Sequence, residues 1–355
     1  MIDAKRYTSG RIAVANLSAM IDGVELRRAE GATFEDLVGL SKLLFLRGDL
    51  LGRIVDHDRA ETVANEAVAL SSSRGDALHI RARLAGRFHR FEEATALLDR
   101  ALAAGYMRKE VDLEKAALLQ ATGRYNEALL LRERLARDDP GIHTFGSLAS
   151  LLAEMDQWAA AETCYATALD ADNGVSPLPC GQLLFEWGVS AMRRGDLERA
   201  EEIFVELDEI LPEHVPGRGH RAEVALARGR LDVAVALITP LLETSDDPEY
   251  RAVYAEVLAA RGEREAARRE AERAAADYKL LLARRPEAYA DHAAAFFMGI
   301  GNRPELALDL ASKNRQLRDT PRSRSLLARA LRCAVPRRAA ASGTYRDRRS
   351  ARRIV

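Results

Sequence analysis

The residues of this 355-residue chain most able to hold a metal or activate a nucleophile are seven histidines, three cysteines and one Asp-His-Asp triplet. The histidines are His57, His79, His89, His143, His214, His220 and His292. None stands at ligand spacing from a second histidine and a carboxylate, as a metal centre requires. Asp56-His57-Asp58 reads as a turn between helices with solvated or capping side chains, and "VPGRG" between His214 and His220 reads as a linker. Cys164, Cys180 and Cys333 are too few and too scattered for a disulfide framework or a zinc site. Cys164, beside Tyr165 on a helix face, reads as a small buried hydrophobe rather than a nucleophile. Glycine-rich phosphate loops need a preceding strand, and no convincing strand pattern occurs. The expectation is therefore no catalytic residue, no cofactor and no metal. What remains is recognition chemistry, such as the cationic pair Arg83 and Arg87, one helical turn apart.

Composition narrows the class further. The chain is 48% hydrophobic and 30% charged, ample for a packed core. Its formal net charge of −1 gives no global field for nucleic acid. Aromatics are only 6%, whereas Ala, Leu, Glu and Arg, all good helix formers, are abundant. No signal-peptide pattern opens the chain, and no run approaches the ~18 apolar residues of a membrane span, so a cytoplasmic location is the expectation.

The elements that must position any binding residue are written as a repeat. "GDLERAEEIF" at 195–204 has near-copies at 89–98, 123–132, 156–165 and 229–238. Its closing alanine belongs to a column of eight: Ala60, Ala94, Ala128, Ala161, Ala200, Ala234, Ala267 and Ala307. Five of the seven intervals are 33 or 34 residues, a period of stacked helical hairpins. Twelve residues before each anchor stands another small residue: Gly48, Ala82, Ala116, Ala149, Gly188, Ala222, Ala255 and Ala295. Antiparallel helices approach to ~8 Å only where facing side chains are small, so the two columns should face each other inside each hairpin. Large residues stand three before the anchor (Phe91, Tyr125, Trp158, Leu197, Leu231) and four after it (Leu98, Tyr165, Phe204, Ile238). Gly123, Gly195, Gly229 and Gly262 sit five before it, where the turn needs positive φ.

These columns, with Trp187-Gly188 and the terminal Pro140 and Pro212, resemble the tetratricopeptide repeat family over roughly residues 41–320. The fit is weaker where His57, Arg264 or Pro304 takes the large apolar position before the anchor. The resemblance implies an all-α, right-handed superhelical solenoid of about eight antiparallel helix pairs. Its units are expected near 41–74, 75–108, 109–141, 142–180, 181–214, 215–247, 248–287 and 288–321. An N-terminal capping-helix region at 1–40, carrying Val14, Leu17, Ile21 and Val24, should cover the first unit. A C-terminal helix is expected at 322–335. The segment 336–355 holds seven Arg against one Asp, a charge of +6 against −1 for the whole chain, leaving −7 for 1–335. It reads as a basic, disordered tail. The insertion at 170–181 reads as a loop, and the one before the eighth unit as an extension of its preceding helix.

In such a solenoid the first helix of each pair lines the concave face, through residues fifteen and eleven before the anchor. That puts Phe45 and Asp49, His79 and Arg83, Leu113 and Ala117, Gly146 and Ser150, Phe185 and Val189, Gly219 and Glu223, Ala252 and Glu256, and His292 and Phe296 in the groove. Arg53, Arg83, Arg87 and His79 form an early basic section, Leu113, Phe185 and Val189 an apolar middle, and Glu223 and Glu256 a later acidic section. The family's chaperone-binding members hold a C-terminal carboxylate with a Lys/Asn constellation that is missing here. The expected function is a non-catalytic scaffold binding a peptide or helix of a partner protein. The alternatives are a nucleic-acid-associated or regulatory factor using the basic tail, and, behind it, an enzyme or enzyme subunit with a site in the concave surface.

Overall fold

The computed structural model describes residues 6–341. Among them every regular element is helical. A first helix, α1 (Gly10–Gly31), precedes a run of paired helices: α2 (Phe34–Leu51) with α3 (Ile54–Leu70), α4 (Gly75–Arg87) with α5 (Phe91–Ala103), α6 (Arg108–Ala121) with α7 (Tyr125–Asp138), α8 (Ile142–Glu154) with α9 (Trp158–Asp170), and α10 (Pro177–Arg194) with α11 (Leu197–Ile210). Then come α12 (Val215–Ala227) with α13 (Leu231–Ile238), the short α14 (Leu241–Thr244), α15 (Pro248–Ala260) with α16 (Arg264–Arg284), α17 (Pro286–Met298) with α18 (Pro304–Leu317), and finally α19 (Pro321–Ala341). Consecutive helices pack most closely within each pair, which makes the chain an all-α solenoid of eight hairpins. The basic stretch after Pro336 begins inside α19, and residues 342–355 lie outside the described residues.

The anchor alanines hold the hairpins together. All eight are buried, six of them with no accessible surface. On the facing helix a β-carbon at Gly188 would lie 2.5 Å from the Phe204 ring, and one at Gly48 would lie 2.6 Å from His57. Glycine there admits a ring from the partner helix. The eighth unit departs from the expected register. Its turn spans five residues, 299–303, so Ala295 is exposed and Ala294, one position earlier, takes the buried place.

Turn chemistry is equally regular. Seven units put a left-handed residue five before the anchor: Gly123, Gly195, Gly229 and Gly262, and also His89 (φ 58°), Asp156 (φ 59°) and Asn302 (φ 48°). Asn, Asp and His tolerate this region best among residues with a side chain. The first unit turns instead at Gly52 (φ 59°), so α3 starts a helical turn earlier. Asp56-His57-Asp58 is consequently helical, not a solvated turn. Asp56 is fully buried and takes a bidentate pair from Arg47 at 2.7 and 2.8 Å. His57 fills the apolar plug position, edge-on to Phe45, with Nε2 2.9 Å from Asp49. "VPGRG" is also helical, not a linker. It opens α12, capped by His214, whose Nδ1 accepts from the Gly217 amide at 3.0 Å. Its glycines serve close packing, since a β-carbon on Gly219 would lie 2.5 Å from the Tyr250 ring.

The solenoid curves until its two halves touch. Asp246, after α14, accepts from the backbone amides of Ile54 (2.6 Å) and Val55 (3.0 Å), satisfying the open N-terminus of α3. Arg285 stacks on Phe88 at 3.5 Å and donates to Asp58 (2.8 Å) and Glu61 (2.7 Å). His89 Nδ1 lies 2.8 Å from the Glu287 carbonyl. At the N-terminal end, Tyr7 donates to Asp172 at 2.8 Å and the Thr8 amide to Val175 at 2.8 Å, so the loop at 171–176 is a docking point for the chain's start. Leu17, Ile21 and Val24 of α1 join the core.

Two substitutions separate these effects. Asp56→Ala leaves Arg47 as an uncompensated buried cation and should cost about 3–5 kcal/mol. Gly195→Ala meets open space but keeps a left-handed backbone, and should cost about 1 kcal/mol. Chemical denaturation should rank Asp56→Ala far below Gly195→Ala, and equal losses would refute the buried-pair assignment.

Candidate functional site

Curvature and closure turn the inner face into a lumen walled by the first helices of the hairpins. The two residues expected from each helix divide their work. Those fifteen before the anchor pack against the next unit: Phe45 and His79 are buried, and β-carbons on Gly146 and Gly219 would press on Leu183 and Tyr250. His79 stacks on Tyr106 at 4.7 Å. Burial pushes its imidazole down to about 4, so it adds no charge to the basic section near neutral pH. Those eleven before the anchor are mostly accessible. Asp49, Arg83 and Glu223 keep 42%, 35% and 33% of their side-chain surface, and Glu256 is exposed. Val189 and Phe296 are the exceptions, both buried in the core. Phe185 is half-buried between His214 (5.0 Å) and His220 (5.7 Å), and Leu113 is half-buried on α6. Arg53 precedes α3 and pairs with Asp56 at 3.6 Å, at the hairpin turn.

The lumen charges are mostly paired with each other. Arg83 lies over the Phe45 ring at 4.5 Å and pairs with Glu114 at 2.9 Å, while Arg87 lies 3.7 Å from Asp49. His220 pairs with Glu223, which raises its imidazole against the downward push of burial. His292, the expected groove residue fifteen before the last anchor, lies 3.3 Å from Glu249 and 3.9 Å from Asp291. Those two carboxylates raise it to about 9. His292 in turn holds Glu249 down at about 2 although burial pushes it up. Asp247, with only backbone donors, is driven up to about 6 by burial and by Glu249.

A cavity of about 450 Å³ lies where α17–α19 return opposite the inner wall of the third to fifth hairpins. Arg132 of α7 lines it, 6% exposed. It stands four residues after an anchor, where other units carry Leu98, Tyr165, Phe204 and Ile238. That exception to an apolar column was the sequence signal for a buried cation. Among the described residues no group of three or more His, Cys, Asp or Glu side chains could hold a metal ion. No described helix is long and apolar enough to cross a membrane.

Comparison with known proteins supports the helical-repeat fold. Residues 191–257 match a family model described as Tetratricopeptide repeat. Among solved structures, the Cut9–Hcn1 hetero-tetramer of the APC/C is similar at 15% identity and a TM-score of 0.50, over 93% of this chain and 65% of that one. A tetratricopeptide repeat protein from Parabacteroides merdae ATCC 43184 is similar at 18% identity and a TM-score of 0.45, over 79% of this chain and 98% of that one. No curated protein sequence matches the chain.

The His292 cluster sets a pH dependence. A folded-state value of about 9 against an ordinary 6.5 means that its stabilising contribution is complete below pH 6.5 and disappears as pH rises through 9. His292 is 37% exposed, so solvent screens the effect. His292→Gln should flatten part of the fall in melting temperature between those pH values, measured by scanning calorimetry. An unaltered slope would exclude the role.

Proposed function

From the premise that the chain is a tetratricopeptide-repeat protein, we propose that it is a non-catalytic scaffold that takes an extended segment of a partner protein along its inner face. The observation that carries this reading is the accessible row eleven residues before the anchors. It presents cationic Arg83, with Arg87 one turn on, at one end and anionic Glu223 and Glu256 at the other. Between them lie the half-buried Leu113 and Phe185. A complementary segment carries an acidic residue, then an apolar one, then a basic one. Apolar contact anchors it and charge order sets its direction. Because Arg83 and Arg87 already have internal partners, an incoming carboxylate competes with Glu114 and Asp49 rather than meeting a bare cation. The reading therefore predicts selectivity more than raw affinity. A similar fold alone does not fix a partner, and the charge order is particular to this chain.

Selection from a displayed library of unstructured peptides tests this directly. Arg87 and Glu256 suit the test because neither lies in the buried core. Peptides enriched on the native protein should show the acidic–apolar–basic order. They should bind at least tenfold more weakly to Arg87→Glu or Glu256→Lys, about 1.4 kcal/mol. Absence of enrichment, or equal binding to both variants, would overturn the proposal.

A further inference from the structure

The cavity beside α17–α19 holds opposite charges that line one space without joining. Arg132 is buried, forms no hydrogen bond or ion pair among the described residues, and leaves its Nε without a partner. A guanidinium in a packing position, with no carboxylate on it, is unfavourable unless an anion arrives. Burial accordingly pushes it down to about 10. Arg322 lines the same cavity from α19 and likewise has no ion pair among the described residues. On the other side of the balance, Glu186 of α10 lines the cavity holding only the Gln182 amide, at 3.0 Å. Burial pushes its carboxyl upward, the mark of an anion short of a counter-charge. Glu154, also in the lining, has Arg193 no closer than 3.5 Å.

We propose that this cavity binds a small zwitterion of amino-acid or dipeptide size, its carboxylate on Arg132 and its ammonium on Glu186. The lining itself selects this class. A simple anion such as phosphate would meet Arg132 and Arg322 but also face Glu114, Glu154 and Glu186 around the same space, Arg318 being held by Asp291. A simple cation would meet those carboxylates but leave Arg132 uncompensated. A molecule with both charges on a short frame satisfies each group, and the volume admits a ligand of that size. Ser147 and Ser150 line the same cavity and add neutral hydroxyl oxygens able to accept a hydrogen bond. The site adjoins the extended peptide track, since Leu113 and Glu114 line it, whereas Arg87 and Glu256 lie outside its lining.

The test uses the full chain. The twenty free amino acids, dialanine, N-acetyl-dialanine, dialanine amide and inorganic phosphate are titrated by calorimetry at constant ionic strength. At least one zwitterion should bind with one-to-one stoichiometry, and removing either terminal charge should weaken it at least tenfold. Arg132→Met returns an apolar side chain to the apolar column. It should raise the melting temperature of the ligand-free protein and abolish the ligand-induced shift. Glu186→Gln should keep the fold and weaken binding about tenfold. The proposal fails if no zwitterion binds, if phosphate binds as well as the best zwitterion, or if Arg132→Met lowers the melting temperature or leaves binding intact.

Discussion

Two helices joined by a short turn lie close along their whole length only if each gives up a side chain where they cross. Everything else in this protein follows from that repeated concession. The anchor alanines are buried on one helix, and the facing Gly48 and Gly188 leave room for a ring to cross the gap. The crossing point recurs every 33 or 34 residues in five of seven intervals, so most of the hairpins are like units. A constant angle between like units produces steady curvature. Small residues thus set the shape of the molecule as well as the tightness of each pair.

Curvature has an energetic consequence that a straight array lacks. In an open solenoid each repeat touches only its neighbours, and stability is a sum of local terms. Here Asp246 caps a helix that starts 192 residues earlier, and Arg285 joins the first two hairpins to the last. These contacts couple the fraying ends to each other, so unfolding one end exposes open helix termini and buried charge at the other. Closure also places the inner charges in a narrow space. His292, Glu249 and Asp247 retain contact with solvent, yet they sit near enough to one another, and far enough from bulk water, to move one another's proton affinity strongly.

The repeat was legible because its cause is local. A small residue at fixed spacing and a turn residue five positions before it are readable without coordinates, and all eight anchor alanines are buried. The misreadings share a cause as well. "VPGRG" looks like a turn because glycine and proline usually mark one. Its glycines are instead helical positions pressed by Leu207 and Tyr250, residues of other helices. Asp-His-Asp looks solvated because its partners Arg47, Asp49 and Arg285 arrive from elsewhere in the chain. Ala295 fits its column on paper, but a five-residue turn shifts the register by one. The closure contacts left no sequence signal, since no periodicity links Asp58 to Arg285. The division of groove residues into a packing row and an accessible row needed the neighbouring unit, which spacing alone does not supply.

That division explains why the inner face is polar without being adhesive. Apolar and aromatic side chains that could have formed a greasy groove are spent on joining units: Phe45 and His79 are buried, and Val189 belongs to the core. What reaches the lumen is largely charge already matched to charge, as in Arg83 with Glu114 and His220 with Glu223. A visiting segment gains little from contacting such a surface at random, because each pair it breaks must be replaced. Only a sequence bringing its own charges in the matching order recovers what it displaces, and it does so at several hairpins at once. Arg132 obeys a different rule, since among the described residues no side chain bonds to it and the carboxylates of Glu186 and Glu154 attract it only across the cavity. The same fold thus presents a guarded surface, where internal pairs set the threshold for entry, and one unguarded charge in a cavity, where a fitting ligand displaces no existing ion pair of Arg132.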